Sequence, residues 1–279
     1  MPISLSTFLG TDVTSPLQGG HQALVLEAVD ESGQRCVAKL RRLRDADPDI
    51  LNERMHAVAG LAAVDLRVCA PLRRAGAYVT EVLVEDTPML GTMIEYAHGE
   101  SLSHAEAADA RLMGVELARL HASLDTLQPF NLPLVPALAA TGYSPEGETL
   151  QLLHGDFSDQ NLRKLGGTVR IFDLDDCGYG PRAFDVANSL YMVLFDHMTA
   201  PGEGAFEQFE SEFLGGYVSE STQGAFSTDT VSDFIDVRVS ALQIWLDDRD
   251  SAPAGIRDAS PEWHRTLRQF TERYWARSV

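Results

Sequence analysis

Cysteine is scarce in this chain, and the few cysteines are scattered. Cys36, Cys69 and Cys177 lie far apart, and none belongs to a Cys-x-x-Cys pair. Such an odd, dispersed set does not suit a disulfide framework, and no histidine stands at the spacing of a zinc ligand. We therefore expect reduced thiols that are buried as small apolar side chains.

Long apolar runs are also missing. No stretch approaches the ~20 residues that a membrane-spanning helix requires, and the first residues lack the basic start and apolar core of a signal peptide. We therefore expect a cytoplasmic protein with no membrane partner. The hydrophobic content of 44% still provides enough apolar side chains for one large or two modest cores.

Positive charge is in short supply. The 279 residues carry 22 Lys and Arg against 41 Asp and Glu, a net charge of −19. This surface repels polyanions, so we expect no nucleic-acid partner. Residues 1–100 have a net charge of −5 (9 basic, 14 acidic), and the other 179 have −14 (13 basic, 27 acidic). The acidic second part either attracts a cationic ligand or simply keeps the surface soluble.

The first hundred residues have short β-like runs and one helical segment. Apolar-rich runs at 22–29 and 34–40 flank a turn at 30–33, which predicts a hairpin. Residues 78–84 and 89–96 predict two further strands around a turn at 86–88. Apolar side chains at helical spacing between 49 and 64 predict one helix packed against this small sheet.

From residue 103 the sequence becomes mainly helical. Ser103 and Glu106 have the spacing of a capping box and predict a long helix that ends near residue 124. Four prolines and two glycines in 128–148 predict a loop or one short helix. A strand–turn–strand block follows at 151–174, and helices are expected near 182–196, 203–221, 229–248 and 261–276. We therefore predict an α+β fold of two lobes, a strand-rich N-lobe (1–97) and a helical C-lobe (98–279).

The most informative stretch lies between residues 152 and 176. Asp156 precedes Asn161 by five residues in a polar loop, and a strand at 168–172 ends in the carboxylates of Asp173, Asp175 and Asp176. Phosphoryl transfer needs these parts: a carboxylate that accepts the proton of the attacking hydroxyl, and oxygen ligands that hold Mg²⁺ against the phosphates. The alternative is an acidic, solvent-exposed hairpin, because Asp and Asn are common in turns.

The motifs resemble the aminoglycoside phosphotransferase and choline kinase-like family. The residues that carry the resemblance are His154-Gly155-Asp156, Asn161, Phe172-Asp173-Leu174-Asp175, Gly178-Tyr179-Gly180-Pro181, Phe184-Asp185 and Ala187. The resemblance implies a protein kinase-like fold and transfer of phosphate from ATP, with Mg²⁺, to a hydroxyl of a small molecule. It also implies that Asp156 is the catalytic base, that Asn161 and Asp173 are metal ligands, and that Asp185 braces the catalytic loop.

A lysine in an apolar strand is the candidate phosphate-binding cation. Lys39 is one of only two lysines in the chain, against 20 arginines, which suggests a position that needs a compact ammonium. A kinase of this plan pairs that lysine with a carboxylate on a helix. Glu53 is the predicted partner, and Asp49 is the competitor, although an Asp near a helix start is more often a cap.

Two further segments are predicted to bind the nucleotide. Gly19 and Gly20 form a turn that resembles the phosphate-cradling loop of the family. The stretch 93–102 resembles its hinge, which implies that backbone groups of Glu95 and Ala97 hydrogen-bond the adenine.

Two other functions share part of this pattern. A protein Ser/Thr kinase would have the same lobes, but only about eight residues separate Asp173 from Pro181, which leaves no room for a peptide-binding activation segment. A nucleotide-binding regulator without turnover usually lacks the lysine, the base or a metal ligand, and here all of these are present. The sequence therefore favours a small-molecule kinase.

The acceptor is the least determined part. Asp247 and Asp248 beside Trp245 suit a cationic amino alcohol or an aminoglycoside, with the indole as a cation–π face. However, helix-end acids are usually solvated and a Trp is usually a core residue, so the structural interpretation of these three residues is the stronger one. Neutral sugars and homoserine remain open, and Asp175 is a further candidate for substrate contact.

Overall fold

The computed structural model describes residues 2–10, 15–16, 23–30, 32–199, 206–222 and 224–277. Its N-terminal part is a six-stranded sheet in the order β1-β5-β6-β4-β3-β2. The strands are β1 (Ile3–Ser4), β2 (Ser15–Pro16), β3 (Leu24–Val29), β4 (Arg35–Arg42), β5 (Thr80–Val84) and β6 (Thr87–Glu95). Lys39 lies on β4 between Val25 of β3 and Thr92 of β6, in the middle of the sheet.

The β5–β6 hairpin turns one residue earlier than the sequence predicted. Val84 pairs with Thr87, so the loop consists of Glu85 and Asp86 alone, and both have positive φ (47° and 67°). Two residues in the left-handed region match the twist of a tight hairpin. Pro88 therefore lies inside β6 instead of in the turn.

Two helices accompany the sheet, and they belong to different cores. The short α1 (Leu5–Leu9) inserts Phe8 and Leu9 into the core of the sheet. The longer α2 (Pro48–Val64) begins after Asp47, whose side chain accepts hydrogen bonds from the backbone of Asp49 and Ile50. The buried residues of α2 join the large core of the helical part. The predicted helix is confirmed, but it packs more toward the C-terminal part than toward the sheet.

The helical part contains α3 (Ala107–Leu124), α4 (Pro136–Ala140), α5 (Arg182–Thr199), α6 (Phe206–Glu220), α7 (Thr228–Asp247), α8 (Ala254–Arg257) and α9 (Pro261–Arg277). The predicted capping box of α3 is wrong. The helix starts at Ala107, four residues after Ser103, and the residue at its N-cap, Glu106, makes no side-chain capping hydrogen bond. Instead, the Asp109 carboxylate accepts a hydrogen bond from the Ser103 backbone and thereby stabilises the turn before the helix.

Helices α3 and α6 approach each other closely at two glycines. A Cβ atom on Gly114 would lie 1.9 Å from the Phe213 carbonyl oxygen, and one on Gly216 would lie 2.1 Å from the Arg111 carbonyl oxygen. Only glycine permits this contact, which brings α6 beside the buried face of α3.

Small strands, all but one of which lie between α4 and α5 in the chain, hold the polar loops. These are β8 (Gln151–Leu153), which pairs with β11 (Gly178–Gly180), and β9 (Leu162–Leu165), which pairs with β10 (Thr168–Ile171) and β7 (Glu100–Ser101). Gly166 and Gly167, both with positive φ, form the predicted turn between β9 and β10. Strands β8 and β9 thus carry the two ends of the loop that contains Asp156.

The predicted α+β fold with a sheet lobe and a helical lobe is confirmed, while the boundary between 1–97 and 98–279 stays a prediction. All three cysteines are buried free thiols, as expected. Within the described residues, no helix has the length and apolar character needed to cross a membrane.

Candidate active site

The loop between β8 and β9 is organised by a buried histidine. The Nδ1 atom of His154 accepts a hydrogen bond from the Asp156 backbone (3.2 Å), and its Nε2 atom donates one to the Phe172 carbonyl (3.1 Å). This pattern requires the neutral imidazole. Burial lowers the pKa of His154, against the attraction of nearby carboxylates, and so favours the same form. His154 therefore ties the Asp156 loop to the segment that precedes Asp173.

The side chain of Asp185 on α5 holds this loop in place by hydrogen bonds, as the resemblance implied. Its fully buried carboxylate accepts hydrogen bonds from the backbone of His154 (2.8 Å) and Gly155 (2.9 Å). The His121 side chain also contacts it at 3.2 Å. Burial alone would raise the pKa of Asp185, but the hydrogen bonds from His121 and from the backbone bring it below its ordinary value.

His121 was missed by the sequence analysis. It lies on the buried face of α3, and its other ring nitrogen is 2.8 Å from the Tyr217 hydroxyl of α6. The only signal in the sequence was a polar side chain within the apolar stripe of a helix, which does not reveal its partner.

Gly155 is required for the backbone path of the loop. It adopts φ +84°, and a Cβ atom there would lie 2.4 Å from the Asp176 carbonyl oxygen. Both the left-handed backbone and the close approach of the Asp173–Asp176 segment exclude a larger residue. The glycine thus lets the two carboxylate-bearing segments meet.

Asp156 and Asn161 face the same cleft. The Asn161 amide Nδ2 donates hydrogen bonds to the Asp156 carbonyl (2.8 Å) and carboxylate (3.2 Å). Because the amide nitrogen is occupied in this way, the Asn161 Oδ1 atom is the atom left to act as a ligand.

Lys39 joins this cluster from the sheet. Its Nζ atom lies 2.5 Å from Asp173 Oδ1 and 2.7 Å from Asp175 Oδ2. Arg41, two residues along β4 and therefore on the same face of the sheet, also pairs with Asp175. Two cations and two carboxylates of opposite lobes thus form one network.

The two carboxylates of the network differ in pKa. Desolvation in the cleft raises the pKa of Asp173 to about 7, against the attraction of Lys39. Desolvation also acts on Asp175, but Arg41 and Lys39 outweigh it and hold its pKa well below the ordinary value. Asp175 is therefore the permanently ionised partner, and Asp173 is the carboxylate that most needs a further cation.

The predicted ion pair between Lys39 and Glu53 is wrong. The Glu53 carboxylate instead accepts a hydrogen bond from the Asn131 backbone (2.8 Å), and Asp49 is exposed at the start of α2. The next residue of the helix, Arg54, faces the carboxylate segment and donates to the Cys177 carbonyl (2.9 Å). Because successive helical residues point about 100° apart, Glu53 is turned away from the cleft. Asp175 supplies the carboxylate that Glu53 was expected to provide.

The predicted hinge borders the cleft. Glu95 and Ala97 both line it, together with an apolar surface. The side chain of Glu95 points elsewhere: it pairs with Arg170 at 2.8 Å and accepts from the Ala70 backbone. Tyr96 packs against Arg35, whose guanidinium carbon lies 3.8 Å from the centroid of the Tyr96 ring.

The apolar surface beside the hinge consists of Val25, Val37, Ile94, Leu102 and Phe172. Adenine contacts of the hinge stay a prediction, and Gly19 and Gly20 lie outside the described residues.

The cleft has a volume of about 700 Å³ and continues past Asp156 to a second half. We call this the acceptor half. It is lined by Tyr191, Met192, Phe195, Arg238, Leu242, Trp245, Gly255, Ile256, Trp263 and Leu267. Trp245 is therefore at the site, but Asp247 and Asp248 are not among the lining residues. Asp247 is exposed and pairs with Arg268 at 3.0 Å.

The oxygen atoms at the junction of the two halves fit a hard divalent cation. Asp173, Asp175 and Asn161 Oδ1 face the same cleft, and neither cysteine nor histidine is among its described lining residues. Carboxylate and amide oxygens are the ligands preferred by Mg²⁺. The raised pKa of Asp173 is consistent with a carboxylate whose natural partner is a metal ion.

Comparison with known families identifies the segment that carries these motifs. Residues 132–218 match the model of the phosphotransferase enzyme family (APH). The predicted family resemblance is confirmed. The phosphotransferase match extends from the loop before α4 into the last turn of α6, and it includes Asp156, Asn161, Asp173 and Asp185. No match is found among curated protein sequences.

Solved structures show the same fold over nearly the whole chain. Amicoumacin kinase hAmiN, in complex with AMP-PNP, Ca²⁺ and Ami, is 20% identical with a TM-score of 0.71 over 92% of this chain and 86% of its own. A microcompartment-associated aminopropanol kinase is 17% identical, with a TM-score of 0.66 over 95% and 94%. Choline kinase from Cryptosporidium parvum Iowa II is 13% identical, with a TM-score of 0.59 over 96% and 88%. The expected kinase-like architecture is thus confirmed.

Proposed function

We propose that this protein is a small-molecule kinase that transfers the γ-phosphate of Mg-ATP to a hydroxyl group. The observation that carries the proposal is the meeting of Lys39, Asp156, Asn161 and Asp173 in one cleft, although they come from three separate segments. The apolar surface beside the hinge suits an adenine ring, and the acceptor half suits a compact second substrate.

Asp156 is the proposed base. As the acceptor oxygen forms its bond to the γ-phosphorus, the bond between that phosphorus and the bridging oxygen of ADP breaks, and ADP leaves with the electron pair. The hydroxyl proton passes to the Asp156 carboxylate. The hydrogen bond from Asn161 and the backbone bond to His154 keep this carboxylate oriented toward the acceptor half.

Asp173 and Asn161 are the proposed holders of the metal, through the Asp173 carboxylate and Asn161 Oδ1. When bound, Mg²⁺ supplies neutralisation of the phosphate charge. Lys39 is the proposed phosphate-binding cation. In the structure its ammonium is held by Asp173 and Asp175, and burial, Asp175 and Asp173 together leave its pKa above the ordinary value. It therefore stays charged at neutral pH.

The short connection after Asp173 supports a small acceptor. Strand β11 begins at Gly178 and pairs with β8, and α5 begins at Arg182. No segment in this stretch is long enough to present a peptide, and helices α5, α7 and α9 enclose the acceptor half. The neighbours named amicoumacin, aminopropanol and choline kinases support the same substrate size, as their names refer to small molecules.

The proposal is tested by ADP release in a coupled assay with Mg-ATP and a panel of amino alcohols, hydroxy acids, sugars and aminoglycosides. We expect release that depends on one acceptor class and on Mg²⁺, and a product with one added phosphate by mass spectrometry. Tight ATP binding without transfer to any acceptor would instead indicate a nucleotide-binding regulator. Phosphorylation of a protein but of no small molecule would indicate a protein kinase.

A further inference from the structure

The acceptor half of the cleft is apolar and aromatic except for one charge. Helices α5, α7, α8 and α9 contribute its wall, and Arg238 is the only ionisable side chain other than tyrosine that they bring to the described lining. This single cation stands in a chain with a net charge of −19. The helical wall of this half thus carries a positive charge, while Asp156 and Asp176 line the same cleft.

Arg238 is held in place but is not saturated with hydrogen bonds. Its Nε atom donates to Asn188 Oδ1 (2.9 Å), and its guanidinium carbon lies 4.5 Å from the centroid of the Tyr191 ring and 5.6 Å from that of Trp245. The Nη1 atom is buried and meets no acceptor among the described residues. A buried donor without a partner is costly, so a positioned guanidinium of this kind favours a ligand that accepts hydrogen bonds.

Arg238 and the proposed base line the same cleft. The phenol of Tyr191 interacts electrostatically with both Arg238 and Asp156, and the Asp176 carboxylate does the same. A ligand that touches Arg238 can therefore extend toward Asp156 within the same cleft.

The same geometry disfavours a cationic group at this position. The aromatic rings of Tyr191 and Trp245 already contact the Arg238 guanidinium, so the protein's own cation uses the cation–π surface that a substrate ammonium would need. Asp247 and Asp248, the acids expected to attract such a substrate, are outside the described lining.

We propose that the phosphate acceptor is a small hydroxy acid whose carboxylate pairs with Arg238 while its hydroxyl faces Asp156. This inference rests on the proposed function and specifies its acceptor. A planar guanidinium matches a carboxylate through parallel hydrogen bonds. A carboxylate carries one negative charge and matches the single cation, whereas a phosphate ester would bring nearly two. An amino group on the same molecule is compatible, provided that it lies away from Arg238.

The test compares acceptors that differ only in the carboxylate. Homoserine, its amide and 3-aminopropan-1-ol share the hydroxyl and the amine, and 3-hydroxybutyrate with butan-2-ol forms a second pair without an amine. Glycerol 3-phosphate tests the phosphate alternative. We expect kcat/KM for at least one hydroxy acid to exceed that of its matched alcohol by about 30-fold or more, the range of a charge-assisted hydrogen-bonded pair.

Variants then assign the preference to Arg238. Arg238→Met should reduce the ratio between acid and matched alcohol to within about 3-fold, and Arg238→Lys should retain part of it, because a point charge remains. Arg268→Met is the control, since Arg268 pairs with the exposed Asp247 outside the cleft. The ratio of kcat/KM between the acid and its matched alcohol does not change when part of the protein is unfolded. The thermal melting temperature of each variant separately reports the loss of stability caused by the lost hydrogen bond to Asn188.

The outcomes separate the inference from the proposed function. Transfer to alcohols without any preference for the acid, or to glycerol 3-phosphate alone, would overturn the inference and leave the kinase proposal intact. If no acceptor is phosphorylated, calorimetry with Mg²⁺ and a non-hydrolysable ATP analogue decides: binding of a hydroxy acid that Arg238→Met abolishes supports the inference, and the absence of such binding overturns it.

Discussion

The two halves of the cleft are built from different kinds of sequence. The half of the cleft that contains Lys39 and borders the predicted hinge, which we call the nucleotide half after its proposed ligand, takes its polar groups from two local segments. These are β4 and the stretch 154–175, where the spacing of residues follows from strands and tight loops. The acceptor half takes its wall from residues on α5, α7, α8 and α9, spread between 191 and 267. The residues that line the nucleotide half can therefore be predicted from local motifs, whereas those that line the acceptor half are determined by how the helices pack.

The halves also differ in how their charges are satisfied. Lys39, Arg41, Asp173 and Asp175 neutralise one another across the lobes, and Asn161 is bonded to Asp156. In the acceptor half, Arg238 keeps a buried nitrogen that has no hydrogen-bond partner in the part of the chain that the structure describes. A mutually paired network suggests groups that must be rearranged by Mg-ATP, whereas an incompletely paired cation suggests a preformed contact for the acceptor. Mutations in each half should therefore affect different kinetic constants.

The largest effect is expected for Asp156→Asn, at the junction of the halves. The amide keeps the shape and the neighbours of the carboxylate but accepts no proton, so kcat should fall by about 1,000-fold or more. Nucleotide binding measured by calorimetry should change by less than about 3-fold. Turnover within a few-fold of the unmodified protein would rule out Asp156 as the base.

Asp173→Ala should impair binding in the nucleotide half and leave binding in the acceptor half intact. Removal of the proposed metal carboxylate should weaken binding of Mg-ATP by about 100-fold, because a metal ligand and a partner of Lys39 are lost together. Binding of the acceptor in the absence of nucleotide should remain within about 2-fold. Unchanged affinity for Mg-ATP would transfer the metal role to Asp175.

A pair of substitutions tests which carboxylate positions Lys39. Asp175→Asn should raise KM for ATP by about 10-fold or more, since Lys39 and Arg41 lose their shared ionised partner. Glu53→Gln, the matched control, should leave KM for ATP unchanged, because Glu53 bonds to the Asn131 backbone outside the cleft. If Glu53→Gln has the larger effect, α2 must move toward Lys39 in the nucleotide complex.

The smallest effect is expected at the rim of the acceptor half. Trp263 is 37% exposed there and packs edge-on against Phe195. Trp263→Ala should raise KM for the acceptor by about 2- to 10-fold and leave KM for ATP unchanged. An equal change in both constants would mean that the two halves do not act independently.

Several features of the site could be predicted because they are local. The positions of Asp156, Asn161 and Asp173 follow from a loop and two strands of fixed length, and the structure places all three in one cleft. The turn at Gly166-Gly167 and the bracing by Asp185 belong to the same block of sequence. In contrast, the capping box at Ser103 and the turn at residues 86–88 failed, because a competing side chain, Asp109, and a tighter two-residue turn were equally compatible with the sequence.

The carboxylate partner of Lys39 could not be predicted from the spacing of residues. Spacing places Glu53 on the helix that usually provides the carboxylate, but spacing does not determine the rotation of that helix about its axis. Here α2 packs its buried face into the core of the helical part and points Arg54 toward the carboxylate segment. Arg41 and Asp175 then complete the network across the lobes.

The sequence by itself determined the class of fold, the presence of phosphotransferase-like motifs and the scarcity of positive charge. These properties depend on residue type and short spacing, which folding does not change. The tertiary structure alone decided that Asp175 accompanies Lys39, that Asp247 stays on the surface and that Arg238 enters the cleft. Each of these depends on which face a helix or strand turns inward, and that choice is made by packing between elements distant in the chain.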